Sequence, residues 1–215
     1  MASVDASTKE PKRPGPSHRK ADILAAAARA FAETGFRGAS LRYIASEADV
    51  SLTLLNHYFG SKASLLQAVI DNHHAICKDR MVALRAIVIG DDGPIPMATF
   101  VAEWVRYEYD LYTSPQGEHY LVLMLKLANE AEIDVAIQRR LNCSEPVVLR
   151  GFERAAPGTT KDCRLSAFSA ASSALHAGIK DFGVAVDEGK KNAEEVAIAF
   201  TTKFLLAGLA ASFAT

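Results

Sequence analysis

At 215 residues the chain can bury a core of one or two domains, and a composition of 49% hydrophobic and 23% charged residues excludes a disordered or fibrous protein. A net charge of −1 would argue against a nucleic-acid binder if it were evenly spread, but residues 1–62 hold nine Lys/Arg against six Asp/Glu and the remainder fifteen against nineteen. Cys77, Cys143 and Cys163 are odd in number and form no CxxC pair, so they read as reduced thiols of a cytoplasmic protein rather than as a disulfide frame. No apolar run suits a signal peptide, and the longest apolar stretch, Phe204 to Ala214, falls short of the ~20 residues of a membrane span, so no membrane partner is expected.

Residues 1–16 are polar, with Pro11, Pro14, Gly15 and Pro16, and are expected to be disordered. Lys9, Lys12 and Arg13, followed by Arg19 and Lys20, make a basic arm. It reads either as a solvated tail or as an arm along phosphate or into the minor groove; from Lys12 to His18 it can reach ~20 Å. The first helix is predicted from about Ser17 to Thr34, with Ile23, Ala27, Ala30 and Phe31 on one face and Gly35-Phe36 as a left-handed stop with its apolar contact.

The stretch Ser40 to Lys62 contains two short helices. Ser40 is an N-cap, and Leu41, Ile44, Ala45 and Ala48 keep a helical spacing; Asp49-Val50 interrupts it, and Ser51 caps a second helix from Leu52 to about Tyr58. Helices this short are marginal alone, so both must pack on the first helix, and two helices across a tight turn make a helix-turn-helix. The segment Ile44-Ala45-Ser46-Glu47-Ala48-Asp49-Val50-Ser51 and the close Tyr58-Phe59-Gly60-Ser61-Lys62 resemble the DNA-binding domain of the TetR/AcrR family of transcriptional repressors, over roughly residues 18 to 70. Two positions depart from the family pattern. Asp49 stands where Gly is usual, at a left-handed position that Asp tolerates, and Asn56 stands where Tyr often contacts phosphate.

The resemblance implies a DNA operator as partner, and the second short helix as the one that reads it. There Thr53, Asn56 and His57 are polar and face outward, whereas Leu54 or Leu55 points inward. Thr53 can touch a thymine methyl, Asn56 can pair with adenine or hold phosphate, and His57 can donate to phosphate or a guanine edge. Ser40 and Ser51 place helix-start N–H groups where phosphate would bind, and Arg42 and Lys62 suit phosphate clamping. The DNA-binding set is completed by Leu52, Tyr58, Lys12, Arg13 and Arg19.

The remaining chain shows helical periodicity and no alternating strand pattern, so the fold class is all-α with about nine helices. A helix from Lys62 to roughly Arg85 carries Leu65, Leu66, Val69, Ile70, His73, Ile76 and Cys77; His73 and Cys77 share a face, but two donors do not make a zinc site, and no metal is expected. Gly90-Asp91-Asp92-Gly93-Pro94 breaks the chain before an aromatic helix from about Ile95 to Tyr112. Further helices are predicted over Glu118–Ala128 and Ala131–Ala155, the second kinked by Pro146 or split at Asn142–Ser144. The last two run over Asp162–Val184 and Asn192–Ala211.

The domain organisation that follows is a basic arm over 1–16, a helix-turn-helix DNA-binding domain over 17–62 and a ligand-binding and dimerisation domain over 63–215. By resemblance the last domain holds a small-molecule effector whose binding moves the DNA-reading heads. Phe100, Trp104, Tyr107, His119, Tyr120, Leu123 and Met124 are the expected pocket walls, for an apolar or amphipathic ligand, with plain core as their other reading. Ala170, Ala174, Ala177, Phe200, Phe204 and Gly208 mix small and large apolar residues, as a homodimer interface or a close-packed pair within one chain. The function implied is a dimeric transcriptional regulator, a repressor released by its ligand. The alternatives are a helical binding protein that does not engage DNA and an enzyme using His119, His176 or Cys163. No nucleophile–base pair or phosphate loop supports the enzyme, and no cofactor is expected.

Overall fold

The structure, a computed structural model, describes residues 16–90, 93–127, 141, 143–187 and 193–213. Most of the basic arm, with Lys12 and Arg13, and most of the first half of the helix expected over Ala131–Ala155 lie outside the described residues. Among the described residues there is no strand and there are ten helices: α1 (Pro16–Gly38), α2 (Leu41–Glu47), α3 (Leu52–Phe59), α4 (Lys62–Arg80), α5 (Val82–Ile89), α6 (Met97–Tyr112), α7 (Pro115–Leu127), α8 (Glu145–Ala155), α9 (Lys161–Asp187) and α10 (Ala193–Phe213).

Three serines start the helices that form the N-terminal head. The hydroxyl of Ser40 accepts from the Tyr43 N–H, that of Ser51 from the Leu54 N–H, and that of Ser61 from the Ser64 N–H, each satisfying one helix-start donor. Between α2 and α3, Asp49 has φ 51, so it occupies the left-handed region that the sequence assigned to it. The stop expected after Thr34 is a kink instead. At Gly35 the backbone leaves the helix (φ 75, ψ 171), and a last turn carries on to Gly38. Phe36 follows the kink and packs its ring 5.8 Å from that of Phe31.

The single helix expected from Lys62 to Arg85 is two helices. At Met81 (φ −78, ψ 15) the chain turns, and α5 lies against α6 and α8 with Leu84 and Val88 buried. Neither Gly nor Pro marks the break, and Met81 is itself buried, so the apolar spacing reads straight through it. At Pro146 the chain splits: Pro146 lies in the first turn of α8, where a missing N–H costs nothing, and Ser144 holds the N-cap position. The Ser144 hydroxyl does not cap the helix; it donates to Glu108 Oε1 at 2.6 Å. Arg154, buried on α8, donates to the carbonyls of Ile87, Val88 and Gly93, satisfying the end of α5.

Cys77 and Cys143 correct the reading of three free thiols. They are joined as a disulfide, Cα to Cα 6.5 Å, between α4 and the lead into α8, and Cys163 alone is free. Sequence spacing could not pair residues that meet only through the tertiary fold. The helix α10 also exceeds the apolar stretch read from the sequence. An 18-residue window within its 21 residues reaches a mean hydropathy of 1.7, long and apolar enough to cross a membrane. Glu194 and Glu195 lie in its first turn, and it buries Thr201, Leu205 and Leu209 where it packs on α9 and α6.

Two substitutions test this packing by urea denaturation. A Cβ at Gly151 would overlap the ring of the fully buried Phe100, so Gly151→Ala should lower stability by about 1–3 kcal/mol. Asp49→Ala should cost about 1 kcal/mol and Asp49→Gly nothing, because glycine alone adopts the left-handed turn freely.

Candidate nucleic-acid interface

The buried side of α2 and α3 consists of Ile44, Ala45, Leu55 and Phe59, which join the core built by Ile23, Ala27, Ala30 and Phe31 of α1. Leu55, not Leu54, is the inward residue of the pair. With that side fixed, helical geometry turns Thr53, Asn56 and His57 outward together, and all three are exposed, as are Ser51, Ser40 and Arg42. Leu52 and Tyr58 are half-buried at the flanks, and the Tyr58 ring lies 6.0 Å from that of His57. Arg19 is half-exposed on α1. The arrangement is a short helix with a polar outer row, backed by apolar packing and flanked by a guanidinium, which can enter a groove and touch base edges and phosphates.

Lys62, expected as a phosphate clamp, makes contacts within the head. Its ammonium donates to the carbonyls of Arg37 at 3.2 Å and Ala39 at 3.1 Å and sits 4.8 Å from the Phe36 ring centre. These contacts pin the start of α4 to the end of α1, so Lys62 braces the head. Tyr43, exposed beside Arg42 on α2, is a surface aromatic that the sequence reading passed over. Its signal was available: it falls off the apolar spacing of Leu41, Ile44, Ala45 and Ala48.

In the body, the expected pocket residues divide. Phe100, Trp104, Tyr107 and Leu123 are core, because α6 is covered by α5, α7, α8, α9 and α10. Phe152 meets Phe100 and Trp104 edge-on at 5.4 and 5.8 Å. The Trp104 indole N–H donates to Glu108 Oε1 at 3.0 Å, and His176 Nε2 lies 3.4 Å from Glu108 Oε2. Glu108, a buried carboxylate within an aromatic helix, was also missed by the sequence reading; its four-residue spacing from Trp104 was the available sign.

His119, Tyr120 and Met124 of α7 do line cavities. The first two border a space of about 500 Å³ between α1, α4 and α7, together with Leu24, Asn72 and His73. Met124 borders another of about 660 Å³ with Phe168, Ser172 and His176. The His73 imidazole is buried, and burial lowers its pKa to about 3, with the nearby His74 and Arg80 charges acting in the same direction. Of the residues expected at a homodimer interface, Phe200 and Phe204 are 70% and 59% exposed on α10. Ala170, Ala177 and Gly208 are exposed and Ala174 half-buried.

Residues 23–69, from within α1 to within α4, match the family model of bacterial regulatory proteins, tetR family. The HTH-type transcriptional regulator BetI of Burkholderia lata is 31% identical over 109 residues, 43% of this chain and 56% of the relative. The chain thus spans about half the length of the curated relatives it matches. A TetR-like transcriptional regulator from Rhodococcus sp. RHA1 has the same fold, with a TM-score of 0.67 at 19% identity, covering 92% of this chain and 99% of its own. A transcriptional regulator from Saccharomonospora viridis, solved in complex with choline, aligns over 89% of this chain and 95% of its own with a TM-score of 0.56 at 18% identity. The capped α2 and α3, with their outward polar row, fall within residues 23–69, the span that is similar to the tetR family of bacterial regulatory proteins.

Proposed function

We propose that the protein is a homodimeric, DNA-binding transcriptional regulator of the cytoplasm, a repressor that leaves its operator when the body takes up a small apolar or amphipathic molecule. The observation that carries this reading is the row Thr53, Asn56 and His57, exposed on α3 while Leu55 and Phe59 anchor the same helix from beneath. Such a helix presents three polar groups to a major groove at a fixed angle. Residues 17–62 form the reading head, and residues 63–215 the ligand-binding and dimerisation body. Arg42 supplies the phosphate contact that sets register, joined by Arg19 and by Lys12 and Arg13 of the arm.

Dimerisation is supported by the outer face of α10. Val196, Phe200 and Phe204 recur every four residues, and each is more than half exposed. A stripe this apolar is unfavourable in water and fits a second copy, whose twofold symmetry would set two heads on two half-sites. Effector control is supported by the cavities beside α7 and by the structural neighbour solved with choline. A ligand there acts only if it binds one head spacing better than the other.

Fluorescence anisotropy with labelled duplex from upstream of the protein's own gene tests the reading. Binding should weaken with salt by about 0.9 in log–log slope per phosphate contact; no sequence-dependent binding at low salt would sink it. Arg42→Ala should flatten that slope by about one contact on every sequence. Thr53→Ala or His57→Ala should relax base preference by ~1–3 kcal/mol at one position. Lys62→Ala should lower the stability of the head by about 1 kcal/mol and leave the slope unchanged, as a brace would. Phe204→Glu should raise the dimer dissociation constant more than tenfold in sedimentation experiments, since a charge would be buried at the interface.

A further inference from the structure

Three donors that are far apart in sequence meet at one place in the body. His73 and Cys77 lie one turn apart on α4, and the fold brings Cys143 to them from the lead into α8. Their ligand atoms, a ring nitrogen and two sulfurs, all lie within 4.8 Å of one another. The His73 side chain is only 4% exposed, and its Nε2 has no hydrogen-bond partner among the described residues. A buried imidazole nitrogen without a partner is unusual, because such groups are nearly always satisfied. Around it the placement is tight: the Tyr120 ring stacks on the His73 ring at 3.3 Å, and the Tyr112 ring lies 5.9 Å away on a near-parallel plane.

We infer that, when its Cys77–Cys143 disulfide is reduced, the protein binds a thiophilic divalent cation of the zinc class through His73, Cys77 and Cys143. The inference takes from the proposed function only that the chain works in a reducing compartment, where dithiols keep such pairs open. A dithiol reductant gives two electrons and two protons to the disulfide, yielding two thiols and its own disulfide. On binding, the two thiols release their protons to solvent, and two thiolates and a neutral imidazole coordinate the cation. The sum of charges is then zero, which a buried site favours; a monovalent cation would leave one negative charge uncompensated.

The geometry needs little change. In a tetrahedral zinc site with sulfur at ~2.3 Å and nitrogen at ~2.0 Å, the donors stand about 3.6–3.8 Å apart. The sulfurs must therefore separate by roughly 1.7 Å from their bonded distance, and the imidazole must approach them by about an ångström at most. The Tyr107 hydroxyl, 3.6 Å from Cys143 Sγ, is placed to donate to that sulfur once it is a thiolate. His73 also borders the 500 Å³ cavity between α1, α4 and α7, which gives an ion a way in past Asp22, Asn72 and His119. Three protein donors leave a fourth position for water or a small ligand.

Titrating the full-length protein, reduced by a phosphine under anaerobic conditions, with Co2+ tests the site. One Co2+ per chain should bind with a sulfur-to-cobalt charge-transfer band in the near ultraviolet, and Zn2+ should displace it. Cys77→Ser and Cys143→Ser should each abolish the band, Cys163→Ser should keep it, and His73→Ala should weaken binding at least tenfold. Oxidising the unaltered protein should also abolish it, which covers the case of a serine variant that fails to fold. No band from the reduced protein, or a band lost only with Cys163→Ser, would overturn the assignment. Failure of DNA binding would not, because metal uptake is read without DNA.

Discussion

Seven residues in α2 and eight in α3 cannot hold a helix in water, so the outward row on α3 exists only through what lies beneath it. Ile44, Leu55 and Phe59 are buried with Ile23 and Phe31 of α1, and each fully buried large side chain contributes about 1.5–3 kcal/mol. The serine caps remove three helix-start donors from the cost of forming the short elements. Lys62 completes the frame by holding two carbonyls at the end of α1. The exposed row on α3 is therefore positioned by apolar contacts on the opposite side of the same helix.

The helix α4 carries that frame into the body. At one end Lys62 ties it to α1; at the other Met81 turns the chain, and Arg80 donates to the Asp110 carbonyl of α6 at 2.8 Å. Between those ends lie His73, beside a cavity, and Cys77, bonded to Cys143. A ligand in the cavity, or a change at the cysteines, would press on the same helix that orients the head. Coupling between two sites requires an element whose arrangement both can bias, and α4 meets that requirement by position.

The head was legible in the sequence because its signals are local. Capping serines, the left-handed Asp49 and the alternation of Leu55 with Thr53, Asn56 and His57 each act within one or two turns. The body was less so. The break at Met81 carries no Gly or Pro, and the spacing of Leu84 and Val88 continues the pattern of α4. Lys62 is a cation at a helix start, and only the tertiary fold shows that carbonyls of α1 surround it. Arg154, Glu108 and Cys143 have tertiary partners 36 to 68 residues away on other elements, at separations no periodicity reports. The aromatic run of α6 signals burial correctly and does not distinguish core from pocket, because both require the same side chains.

The central claim is that two copies of α3, held at one spacing by the α10 faces, read two half-sites. Hydroxyl-radical footprinting of the full-length protein on DNA from upstream of its own gene measures that directly. Two equivalent protected patches should be seen, related by a twofold axis and separated by about one or more helical turns, ~34 Å or a multiple. A single patch, or uniform protection without position, would contradict it.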